Sequence, residues 1–153
     1  MDRLWAPWRI KYITASAKKI GGKRSKKCIF CKATKNKCKD YRLFKTRHSI
    51  AMLNIFPYNN GHAMVSPIRH IGNLTQLKDV EALDLFRTLN KVKVLLDKVL
   101  KPDGYNIGIN ISKSAGAGIV SHLHIHIVPR WIGDINFMAT LYDTKIICQS
   151  LDE

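Results

Sequence analysis

Between Val120 and Val128 apolar and polar residues alternate, with Leu123, Ile125 and Ile127 interleaved between His122, His124 and His126. In an extended strand successive side chains point to opposite faces. The three aliphatic residues therefore share one face and the three imidazoles the other, roughly 7 Å apart. Earlier in the chain, 41–47 and 49–56 have the composition of strands, and Pro57-Tyr58-Asn59-Asn60-Gly61 supplies turn residues before a third, 62–66. The period then changes. Leu74, Leu77, Val80, Leu83, Phe86, Leu89, Val92, Leu95, Leu96 and Val99 recur at spacings of three and four apart from one adjacent pair. They predict a single amphipathic helix over 75–100 with this stripe as core, Thr75 as its N-cap and Pro102-Asp103-Gly104 ending it. A strand over 105–112 and a small-residue loop over 113–118 then lead into the histidine strand, 120–128. Strands, one helix and strands again predict an α+β fold with an antiparallel sheet of about five strands and one long helix.

The chain has 153 residues, of which 46% are hydrophobic, enough to bury a core in one domain spanning 1–153. No apolar run approaches the ~20 residues of a membrane span, and the first residues lack a signal-peptide apolar region, so the expectation is a cytoplasmic protein with no membrane partner. Residues 1–13 are rich in apolar groups such as Trp5, Pro7, Trp8 and Ile10, which predicts an arm packed on the body or on a second subunit. The net charge of +15 is concentrated at one end, since residues 1–50 carry 16 Lys+Arg against 2 acidic residues and the remainder 10 against 9. Lysines of the 14–40 loop are interleaved with Gly and Ser rather than with aromatics. That suits attraction to polyanions more than base reading, and nucleic acid stays open as a partner.

Imidazole can attack phosphorus, transfer protons near neutral pH or ligate a metal, so three on one strand permit a division of labour. His124 is flanked on both sides, which allows one neighbour to orient it while the other attends to a leaving group. The loop Ser112-Lys113-Ser114-Ala115-Gly116-Ala117-Gly118 has little bulk at its end, so its N–H groups can approach phosphate. Cys28 and Cys31 form half of a tetrahedral zinc site, for which His70 and one end of the triad are the candidate completions, whereas Cys38 and Cys148 stand alone. A catalytic metal held by the three histidines alone ranks lower, because the motif contains no carboxylate.

The segment His122-Leu123-His124-Ile125-His126-Ile127-Val128 resembles the His-φ-His-φ-His-φ-φ signature of the histidine triad (HIT) superfamily of nucleotidyl hydrolases and transferases. Further similarities are Cys28-Ile29-Phe30-Cys31, Asn60-Gly61-His62, Pro67-Ile68-Arg69-His70 and Pro129-Arg130-Trp131. The opening Leu4-Trp5-Ala6-Pro7-Trp8-Arg9 and the closing Gly133-Asp134-Ile135-Asn136-Phe137-Met138 look most like the bacterial diadenosine tetraphosphate phosphorylase or hydrolase branch. The resemblance implies a HIT-like fold, a homodimer and a nucleotide or dinucleoside polyphosphate substrate. It makes His124 the nucleophile toward the α-phosphorus, gives His126 the phosphate and leaving group, and gives His62 a supporting role. It further implies nucleotide contacts at Asn54, on the ribose, and at Asn110, His124 and His126, to which the low bulk of the preceding loop adds Gly116 and Gly118. Structural zinc would be held by Cys28, Cys31, His70 and His122, so that chelation costs stability before chemistry.

One departure bears on substrate. The phosphoramidase branch has a Gln-Ser pair shortly before the triad, and this chain has Gly118-Ile119 there. Isoleucine offers no proton, which favours a leaving group that departs unaided, such as a nucleoside polyphosphate. The alternatives are a nucleoside phosphoramidase and a non-catalytic module that binds nucleotide or nucleic acid.

Overall fold

Five strands form one antiparallel sheet in the order β1-β2-β3-β5-β4: β1 Arg42–Lys45, β2 Ser49–Leu53, β3 Ala63–Pro67, β4 Gly104–Ile109 and β5 Ile125–Arg130. A short helix, α1 (Ile29–Thr34), precedes the sheet, and a long one, α2 (Asp79–Leu100), connects β3 to β4. The computed structural model describes residues 28–35 and 41–134, and 28–35 with 41–132 belong to one compact unit. The arm of residues 1–13, most of the basic loop, Cys38, Cys148 and the segment from Ile135 onward lie outside the described residues. The expected α+β class, with five antiparallel strands and one long helix, is the architecture found. Among the described residues no helix is long and apolar enough to cross a membrane.

Strand alternation sorts the side chains between two faces. Ala51, Ala63, Val65, Ile125 and Ile127 pack with Leu85, Leu89, Val92 and Leu96 of α2. Ile50, Met52 and Met64 cluster with Phe30 and Ala33 of α1. His126 stands opposite Met64 in the β3–β5 register, between Ile125 and Ile127, so it shares the face away from α2.

The long helix starts later than its sequence reading and buries a different stripe. Asn73 caps a separate 3₁₀ turn, Leu74–Gln76: its side chain accepts the Thr75 N–H at 3.3 Å, and Gln76 Oε1 accepts those of Gly72 and Asn73 at 3.1 Å. The backbone then extends through Leu77 and Lys78, so α2 begins at Asp79 and Thr75 is not its cap. The buried positions are Glu81, Leu85, Thr88, Leu89, Val92 and Leu96, whereas Val80, Leu83, Phe86, Leu95 and Val99 are exposed. Only part of the predicted stripe is core. A step of three residues turns about 300°, so the series 80-83-86-89-92 drifts around the helix and reaches the buried face only at Leu89 and Val92, while the mixed spacing 85-88-89-92-96 stays on it.

The histidine strand is also displaced, to Ile125–Arg130 from the expected 120–128. Pairing between β3 and β5 runs from Ala63↔Ile127 to Val65↔Ile125. Continued, it would set Leu123 opposite Pro67, whose nitrogen has no hydrogen to donate and whose carbonyl is within 2.8 Å of His122 Nε2. The ladder stops there, and His122 and His124 sit in irregular chain just before β5. β2 ends at Leu53 for a similar local reason: Asn54 Oδ1 accepts the Phe56 N–H at 3.0 Å and turns the chain. The remaining strands, predicted over 41–47, 62–66 and 105–112, occupy 42–45, 63–67 and 104–109.

The turn before His62 requires glycine. Gly61 has φ +70°, and a Cβ there would lie 2.3 Å from Leu100 Cδ1 and 3.2 Å from Pro129 Cγ. Gly61→Ala is expected to lower the unfolding free energy by about 1–3 kcal/mol, from left-handed backbone strain and displacement of Leu100. Urea denaturation followed by circular dichroism checks this, and an unchanged midpoint contradicts it.

Candidate active site

Five of the six histidines fall into two adjoining groups, one around His126 and one around His122, with His124 between them. In the first group the direction of each hydrogen bond follows from a backbone atom. The Tyr58 N–H donates to His62 Nδ1 at 3.0 Å, and Asn54 Nδ2 lies 3.3 Å from the same nitrogen. A backbone N–H can only donate, so neutral His62 carries its proton on Nε2. That proton is donated to His126 Nδ1 at 2.9 Å. His126 must then keep its own proton on Nε2, a buried atom with no hydrogen-bond partner among the described residues.

The same logic fixes His124. Its Nδ1 lies 2.8 Å from the His122 carbonyl, which can only accept, so Nδ1–H donates and Nε2 holds the lone pair. The ring stands between Phe30 (centroids 5.1 Å apart) and His126 (4.9 Å). Tyr58 covers the other end of the row, 4.5 Å from the His62 ring and 5.7 Å from that of His126, while remaining 48% exposed. Burial pulls the pKa of His126 down to about 4, helped by the neighbouring His124. Burial also lowers His124, against the hydrogen bond to the His122 carbonyl. The rings of His124 and His126 are thus held neutral at pH 7.

His122 turns the other way. Its Nε2–H donates to the Pro67 carbonyl at 2.8 Å, leaving the Nδ1 lone pair facing Cys28 Sγ (3.2 Å), Cys31 Sγ (3.6 Å) and His70 Nδ1 (3.1 Å). Cys31 Sγ is also 3.2 Å from His70 Nδ1, and all four atoms lie within 4.8 Å of one another. Burial takes His122 down to about 4, so this nitrogen is unprotonated at neutral pH. Burial and the adjacent Cys28 push the Cys31 thiol up. Tetrahedral zinc with Zn–S near 2.3 Å and Zn–N near 2.0–2.1 Å sets its donors about 3.3–3.8 Å apart, close to the separations here. The donor set fits such an ion, and the carbonyl bonded to the far nitrogen of His122 is the usual support for a ligating histidine.

Next to His70, Arg69 reaches Glu81 with Nε–Oε1 at 2.8 Å and Nη2–Oε2 at 2.7 Å, and also meets the Gln76 carbonyl. Glu81 accepts the Lys78 N–H as well, at 2.9 Å, and the Arg69 hydrogen bonds hold its carboxyl down at about 2. This pair fastens the segment bearing His70 to the first turn of α2.

The structure thus brings Cys28, Cys31, His70 and His122 to one point, and His62, His124 and His126, with Asn54, to another. Asn54 is buried, its amide already engaged with Phe56 and His62. Asn110 adjoins Gly116, where φ is +86° and an added Cβ would come within 4.0 Å of Asn110 Nδ2, while Gly118 is exposed in the same loop. Sequence reasoning missed Phe30, Tyr58 and Pro67. Phe30 and Pro67 lie inside recognisable motifs, but an aromatic or a proline there reads as packing, and the Tyr58 contribution is a main-chain N–H that no side-chain pattern reports.

Comparison with known proteins gives a consistent picture. The model of the HIT domain matches residues 35–131. A Mycobacterium tuberculosis protein named AP-4-A phosphorylase is 34% identical over 154 residues, covering 99% of this chain and 79% of its own length. An adenosine 5'-monophosphoramidase of Schizosaccharomyces pombe is 35% identical over 103 residues, covering 67% of this chain and 74% of its own. The crystal structure of a zinc-bound histidine triad family protein from Mycobacterium smegmatis superposes with a TM-score of 0.63 at 30% identity, over 70% of this chain and 77% of that one.

The depressed His126 pKa carries a stability consequence. Its folded value near 4 lies below the ordinary 6.5, so the unfolded chain binds the proton more readily between these values. The stabilisation is complete above pH 6.5 and is lost as pH falls towards 4. Melting temperature measured across this window should decline with acidity, less steeply in His126→Gln; equal slopes in the two proteins contradict the assignment.

Proposed function

The chain belongs to the HIT domain family, and we propose that it cleaves dinucleoside polyphosphates through a nucleotidyl intermediate on His124. The observation that carries this reading is the order of protons along Tyr58, His62 and His126, which ends in an N–H with no partner among the described residues, beside a histidine with an available lone pair. His124 Nε2 attacks the α-phosphorus: an N–P bond forms while the P–O bond to the departing nucleoside polyphosphate breaks. Water or inorganic phosphate then attacks the same phosphorus and releases His124. Through both steps His126 Nε2–H donates to phosphate oxygen, and His62 keeps that donor pointing at the substrate.

The neutrality of His126 favours an anhydride over a phosphoramidate. With a pKa near 4 it donates a hydrogen bond at pH 7 but has no extra proton to give away. A polyphosphate leaves as a stable anion without one, whereas an amine does not. Ile119, with no proton of its own, points the same way. The activity named for the S. pombe relative is therefore the second reading.

Around this centre the reading assigns ribose contact to Asn54 and nucleotide contacts to Asn110, Gly116 and Gly118. Cys28, Cys31, His70 and His122 would hold zinc, a closed set of four donors that supplies fold stability and leaves no position for substrate. The zinc-bound M. smegmatis relative supports this assignment. We also assign a single domain and a homodimer. Among the described residues β4 pairs only with β5, so its outer edge can accept a second copy.

Product analysis with diadenosine tetraphosphate tests the reading. ADP plus ATP formed only with phosphate present marks a phosphorylase, while AMP plus ATP, or two ADP, formed without it marks a hydrolase. His124→Ala should lose at least about 10³-fold in turnover with the fold intact. Retained turnover, or cleavage of an adenosine phosphoramidate alone, removes the proposal.

A further inference from the structure

Phe30 lies between the two cysteines, in the first turn of α1, and is fully buried. Its ring centroid is 5.1 Å from that of His122 and 5.1 Å from that of His124, so one side chain touches both a member of the metal cluster and the nucleophile. The hydrogen bond from His124 Nδ1 to the His122 carbonyl also ends on the residue whose imidazole joins the cysteines. Two contacts therefore run from the metal cluster to the His124 ring, one through the backbone of His122 and one through the face of Phe30.

The element that presents Phe30 does not hold itself in place. α1 has six residues and no side-chain cap hydrogen bond at its start. Isolated helices need about 12–15 residues to persist in water. Among the described residues its attachments include the burial of Phe30 and Ala33 against Ile50, Met52 and Met64, hydrogen bonds from Arg42 and Lys45 to its last turn, and the two cysteines beside His70 and His122. Releasing the cysteines frees the end of the helix nearest Phe30.

We propose that Phe30 is a positioning residue through which a metal held by Cys28, Cys31, His70 and His122 sets the ring of His124 for attack. The inference rests on His124 as nucleophile and extends it: metal loss impairs chemistry as well as stability. On one side of His124 the Phe30 face blocks ring rotation, and on the other His126 does so. Without Phe30 that side of the ring is open, and the His122 carbonyl and the His126 contact alone are left to hold its orientation and tautomer.

The test uses the full chain loaded with zinc, the same protein after chelation, and the variants Phe30→Leu and Phe30→Ala, each with zinc content measured. Val92→Ala, in the core beneath α2, serves as a control for destabilisation alone. Long-range ¹H–¹⁵N spectra of the histidine rings report the His124 tautomer without reference to turnover. In the loaded protein His124 should show the Nδ1–H form. Chelation and both Phe30 variants should convert it to a mixture, with the Phe30 variants still binding one zinc per chain. For the Phe30 variants kcat should fall about ten- to hundredfold with KM within about twofold, the signature of a misplaced reacting group. Val92→Ala should lower the melting temperature and leave the His124 spectrum unchanged.

An unaltered His124 spectrum after chelation, or in zinc-loaded Phe30→Leu, overturns the proposal. So does a Val92→Ala spectrum that changes in the same way. Should Phe30→Ala fail to fold, Phe30→Leu and the chelated protein decide the matter. If His124→Ala keeps turnover, the nucleophile assignment fails on its own, and the spectra still report whether the metal reaches that ring.

Discussion

The candidate site depends on main-chain groups that no strand partner claims. Where the β3–β5 ladder ends, the Pro67 carbonyl is left to take the Nε2–H of His122, and the His122 carbonyl is left to take the Nδ1–H of His124. At the other end of the row the Tyr58 N–H meets His62 Nδ1 and passes a fixed direction to His126. A full-length strand over the histidines would have consumed such carbonyls in pairing and left the rings to choose their own tautomers. The early stop of β5 is thus what makes one triad histidine face the two cysteines and His70, the next present a lone pair, and the third present a proton.

Burial is the second constraint. Three imidazoles set side by side repel when charged, and the low-dielectric face between α1, β2 and β3 removes the charge by lowering each pKa. Around His124 and His126 the site therefore offers neutral hydrogen-bonding groups and not cations. Its positive charge lies elsewhere in the sequence, mostly within residues 1–50.

Much of this was legible in the chain, and for identifiable reasons. The alternation through His122, His124 and His126 correctly separated a core side, with Ile125 and Ile127, from a side lined by imidazoles, because period-two geometry survives even where formal pairing ends. The pairing of Cys28 and Cys31 with distant histidines was likewise anticipated from donor chemistry. The buried stripe of α2 was misread because apolar residues also occur on its outer face. Val80, Leu83 and Phe86 sit at the same spacing as one another but not in the core, and hydrophobicity alone cannot choose between two stripes. Glu81 went unnoticed for the opposite reason, since a carboxylate is buried only when a partner such as Arg69 waits for it three-dimensionally. The strand ends were misplaced because Pro67 limits β5 from a neighbouring strand, which a pattern within one segment does not contain, and because Asn54 turns its own segment through a side-chain hydrogen bond that apolar composition does not report.

Tyr58 illustrates how one residue can divide its duties. Its N–H sets the order of protons in the histidine row, while its ring, half open to solvent, leans on the rim with Phe56 nearby in sequence and also exposed. Any amino acid other than proline supplies the same amide. The side chain at this position can consequently vary without altering the main-chain donor that orders the protons beneath it.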